Sequence, residues 1–77
     1  MEDTVVVSQT DYYVVYSPDY CKYLQTVYKD STNEANSIDS AMKFTDLDVA
    51  KAFAKQAHTV DGKEFIVRAM RTVLYEV

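Results

Sequence analysis

The chain has 77 residues, enough for one domain, and a domain of that size buries only about 60–65% of the surface its unfolded chain exposes. Its composition, 48% apolar and 26% charged, is that of a folded globular domain and excludes a disordered tail. A net charge of −4 disfavours non-specific nucleic-acid binding, no apolar run approaches the ~20 residues that cross a bilayer, and Glu2 and Asp3 are wrong for a secretory leader, so the expectation is a cytoplasmic protein with no membrane contact.

In chain order, residues 4–7 and 12–17 read as strands, with Ser8 to Asp11 supplying turn residues between them. Ser17-Pro18-Asp19 fits two structures. It suits a type I turn leading to a strand at 22–28, and equally a helix with Ser17 as N-cap and Pro18 at the first helical position. The preference of Tyr, Thr and Val for strands favours the first. Residues 30–40 are polar and without period, which predicts a mobile loop.

A helix is expected over residues 46–58. Thr45 is placed as N-cap with Asp48 three residues on, and Phe44 as a hydrophobic staple on Val49. Leu47, Ala50, Phe53, Ala54 and Ala57 then form its apolar face, while Asp48, Lys51 and Lys55 lie opposite. Asp61 and Gly62 make a turn, and residues 64–76 read as a long strand, bent by a bulge or projecting to pair with another chain. The fold class is therefore α+β: one domain over residues 1–77, with a small antiparallel sheet of three to four strands and one amphipathic helix on one face.

Two segments carry a resemblance. Tyr12-Tyr13-Val14-Val15-Tyr16-Ser17-Pro18 followed by Lys22-Tyr23-Leu24, and then Ala41 through Ala54, resemble a pattern in small accessory proteins of phages and mobile elements of Gram-positive bacteria. The resemblance spans residues 12–57 and carries no catalytic residues. It implies a hairpin at 12–28 and a phage-like origin, in a group where some proteins bind and disable host proteins, defence nucleases among them.

Chemistry is scarce in the sequence. One glycine, Gly62, cannot build a phosphate-cradling loop, and a single cysteine with a single histidine can make neither an intrachain disulfide nor a zinc site of Cys and His ligands. His58 reads as a residue compensating the helix dipole, Asp46 and Asp48 as first-turn acids, and Cys21 as a small apolar residue. No catalytic, metal or cofactor residues are assigned, and the protein is expected not to be an enzyme.

Six of the seven tyrosines lie between Tyr12 and Tyr28. Such rings serve either a core or a recognition surface. Residues 1–48 carry nine acids against three lysines, a net of −6, and residues 49–77 carry five bases against three acids, a net of +2. Tyrosines amid carboxylates predict a protein-binding surface at Tyr13, Asp19, Tyr20, Tyr23, Asp30 and Glu34, acting on a larger host protein with a basic surface. The alternative is a homodimer in which the long C-terminal strand pairs between chains. Tyr12, Val14 and Tyr16 share the parity of a base-stacking platform, but the few cations nearby disfavour single-stranded nucleic acid.

Overall fold

The computed structural model describes the backbone of residues 5–76 and the side chains of residues 11–71. The expected first-strand residue Thr4 lies outside that range. The elements are β1 (Val5–Ser17), β2 (Lys22–Val27), β3 (Thr32–Ala35), a 3-10 turn (Ile38–Ser40), α1 (Leu47–Asp61) and β4 (Ile66–Glu76). One antiparallel sheet of order β3-β2-β1-β4 carries the single helix on one face, an α+β domain.

β1 is one strand of 13 residues, where the sequence predicted two with a turn at Ser8 to Asp11. Those polar residues remain extended because β4 pairs them throughout, from Val5↔Glu76 to Tyr16↔Ile66, with one register shift between Val6 and Ser8. β2 is short and reaches β1 only near its end, at Tyr16↔Tyr23 and Ser17↔Lys22. The β1–β4 ribbon therefore projects past the rest, and the molecule measures 50 × 23 × 16 Å. Its radius of gyration is 14.8 Å, against about 11.5 Å for a compact chain of this length.

The loop expected over 30–40 contains structure. Thr32–Ala35 adds β3 at the sheet edge, and Ile38–Ser40 forms a 3-10 turn capped by the Ser37 side chain. Polar residues suffice in β3 because it is short, lies at an edge and is half solvated. Residues 22–27 are strand, which resolves the ambiguity at Ser17-Pro18-Asp19: Pro18 to Cys21 form the connecting turn. Cys21 closes that turn with φ +55°, a left-handed conformation usually given to glycine.

The helix is longer than expected and begins one residue later. Asp46, not Thr45, is the N-cap, its carboxylate accepting from the Asp48 N–H at 2.8 Å and the Val49 N–H at 3.3 Å. The staple does not form: Val49 is exposed, and Phe44 packs instead on Phe53, ring centroids 5.0 Å apart. Leu47 also stays exposed, so the buried stripe is Ala50, Ala54 and Ala57. Gly62 ends the helix at φ +78°, its N–H donating to the His58 carbonyl.

Val15, Leu24, Phe44, Phe65 and the three helix alanines make the core, with Tyr13, Val27, Met42, Phe53 and Val67 packed around them. The alanines let the helix sit close to the sheet. Phe44 is tied to β1 by reciprocal backbone hydrogen bonds with Tyr13, of 2.7 and 2.9 Å, which closes the β1 edge beside β2.

Candidate functional site

Strand alternation sends Tyr13, Val15 and Ser17 toward the helix and Tyr12, Val14 and Tyr16 to the other face. Register then decides what surrounds them. Tyr16 opposes Tyr23 of β2 and Ile66 of β4, Val14 opposes Arg68, and Tyr12 opposes Met70. Among the described residues, no helix lies over this second face. It carries Tyr12, Tyr16, Tyr23, Ile66 and Met70 half-buried and Arg68 exposed. Val14 in its middle has no exposed surface, being flanked along the strand by the two tyrosines and across it by Arg68.

The rings on this face are occupied by one another and by cations. Tyr16 and Tyr23 lie 5.0 Å apart at 55°, and the Arg68 guanidinium carbon sits 3.8 Å from the Tyr16 ring centroid. The Lys43 ammonium is 5.7 Å from the Tyr12 ring. Both distances are those of cation–π contacts, which restrain a long cationic side chain, and the Lys43 ammonium also donates to the Ile38 and Asp39 carbonyls at 3.4 and 3.3 Å. The Tyr16 phenol is held above its ordinary pKa, first by its hydrogen bond with Cys21 and then by burial, with Arg68 opposing.

The six residues read from the sequence do not form one patch. Tyr13 faces the helix and packs against the core. Glu34 is nearly buried under the helix end, with Lys63 Nζ 2.8 Å from its Oε2, and so is a structural ion-pair partner. The same ammonium lies 3.0 Å from Asp61 and 4.6 Å from the ring centroid of Tyr20, and the Thr32 hydroxyl is 2.9 Å from both carboxylates. Hydrogen bonds to Glu34 and then Asp61 hold Lys63 above its ordinary pKa, and those from Lys63 and then Thr32 hold Asp61 below its own. Tyr20 is exposed beside this cluster, Asp19 is exposed in the β1–β2 turn and Asp30 in the β2–β3 turn. Only Tyr23 belongs to the open face.

The acids thus sit in the turns and on the helix side, apart from the tyrosines of the open face. What the sequence reading missed is Arg68, Tyr12 and Tyr16. The parity of Tyr12 and Tyr16 was a signal, but the pairing that brings Arg68 across 52 residues onto Tyr16 was not locally encoded. Among the described residues, no group of three or more His, Cys, Asp or Glu side chains gathers as metal ligands, and no helix is long and apolar enough to cross a membrane. Comparison of the chain with protein-family models, curated proteins and solved structures finds no match.

Proposed function

We propose that this is a non-enzymatic protein-binding module whose contact surface is the open face of the sheet. The observation that carries the reading is the uncovered array of Tyr12, Tyr16 and Tyr23 with Arg68 stacked on Tyr16. Tyrosine and arginine are the residues most often found as binding anchors, and rings already fixed by neighbours lose little freedom when a partner covers them. The resemblance to phage and mobile-element accessory proteins extends this reading to a host target, with a protein such as a defence nuclease bound and disabled. The expected basic target surface would be met by the acidic turns carrying Asp19 and Asp30, which flank the sheet and would steer encounter.

Affinity capture from the host, followed by titration of Tyr16→Ala and Tyr23→Ala against the captured protein, tests the surface. Loss of about 2 kcal/mol of binding for either variant is expected of an anchor. Unchanged affinity in both would overturn the assignment. A second reading, a homodimer joined through the C-terminal strand, has one observation in its favour: β4 is an outer strand, with its edge away from β1 unpaired among the described residues. Light scattering that finds only monomer at high concentration removes it.

A further inference from the structure

The unpaired edge of β4 borders an open groove of about 500 Å³ between that strand and α1. Ala54, Phe65 and Val67 give it an apolar floor, and Lys51 and Lys55 stand on its helix rim at the spacing of one helix turn. Arg68 lies on the far side of the same strand, restrained on Tyr16 and paired with no carboxylate among the described residues. An edge strand beside a helix groove offers two kinds of contact to one extended chain: backbone hydrogen bonds along the strand, and a slot for alternate side chains.

We propose that this edge and groove form a second docking site, which takes an acidic, partly apolar segment of a partner protein as a fifth strand next to β4. Charge decides the occupant. The groove rim and strand carry Lys51, Lys55, Arg68 and Arg71, and Arg71 alone of these has a carboxylate partner among the described residues, with its Nε 3.0 Å from Asp11. A second copy pairing β4 with β4 would bring these cations against their own counterparts, and like charges opposed across strands are destabilising. An acidic segment meets the opposite sign on both faces of the added strand. Its apolar residues lie over Ala54, Phe65 and Val67, and its carboxylates reach the lysines on one side and Arg68 on the other. Nucleic acid is the poorer match: a base would have to displace Arg68 to stack on Tyr16, and Tyr23 is tilted away from its plane.

The full chain, labelled with nitrogen-15, is titrated with a synthetic peptide of repeated Val-Glu-Glu-Glu, which sets valine and glutamate in turn on the helix face and glutamate alone on the other, with a lysine-for-glutamate control peptide and with a thymidine oligonucleotide. The expected result is slowed amide exchange along Ile66 to Arg71, and an affinity weakened about tenfold by Lys51→Glu with Lys55→Glu, with a smaller loss for Arg68→Ala. These three positions are exposed, so folding is retained and circular dichroism verifies it. The proposal is overturned if the lysine peptide or the oligonucleotide binds as tightly as the glutamate peptide. It is equally overturned if β4 protection rises with protein concentration in the absence of peptide, or if exchange in β4 is unchanged at saturation. Tyr23→Ala leaves this binding intact, so failure here and failure of the open-face reading are separately visible.

Discussion

The two faces of the sheet use aromatic residues in opposite ways. All three phenylalanines, Phe44, Phe53 and Phe65, pack on the helix side, in or against the core. The tyrosines of the open face remain half in water, and across the described molecule Tyr12, Tyr16 and Tyr20 each have a cation over the ring. A ring without a hydroxyl gains from complete burial, whereas a tyrosine keeps its oxygen solvated and lends its face to a cation. The same strand serves both purposes because alternation separates Val15 from Tyr16. The covered face holds the domain together, and the open face stays half solvated.

Neighbouring residues of β2 give the sharpest test of that division. Leu24 is fully buried against the helix, and Leu24→Ala is expected to cost about 3 kcal/mol in denaturant unfolding. Tyr23→Ala, one residue away on the open face, should cost about 1 kcal/mol, the scale of an aromatic cross-strand pair. Equal costs would break the comparison and make the open face part of the core.

Smaller effects refine it. Gly62→Ala should destabilise the covering helix by about 1 kcal/mol through backbone strain alone, since a Cβ there meets nothing within 4 Å. Two buried oxygens on the covered face have no hydrogen-bond partner among the described residues, Glu34 Oε1 and the hydroxyl of the fully buried Ser17. Ser17→Ala is therefore expected to raise stability, by about 0.5–1 kcal/mol in the same assay, and a loss instead would reveal a hidden partner for that oxygen.

The smallest effect is the pH dependence of the Lys63 cluster. Asp61 has a lowered pKa in the fold, so its contribution is present above the unfolded value and is lost as pH falls below about 4. Lys63 has a raised one, so its contribution is complete below the unfolded value and is lost as pH rises above about 10. Thermal melts of Lys63→Met across that range should show both limbs flattened relative to the parent chain.

The legible parts of this fold were those written in local signals. The helix announced itself through its alanine stripe, its acidic first turn and Gly62, although its cap was displaced by one residue because both Thr45 and Asp46 are competent caps. The C-terminal strand was legible from its β-branched and aromatic content, and the four-stranded sheet was within the expected range. What escaped was set by distant partners. Ser8 to Asp11 look like a turn and are held straight by β4, while Thr32–Ala35 look like a loop and are recruited by β2. Glu34 resembled a surface acid until Lys63, 29 residues on, was placed against it. The open face was half visible: tyrosine parity gave the rings, but only the β1–β4 register gave Arg68.

That register also fixes an order of events. Asp11 pairs with Arg71, 60 residues away, and the whole of β1 finds its longest partner in the last strand. Loop-closure entropy has to be met before such pairs contribute, so the domain should fold in the slow, millisecond-to-second regime of high contact order despite its small size. During synthesis the edge of β1 that pairs with β4 has no partner until β4 emerges. Until then that edge is open to whatever strand it meets first.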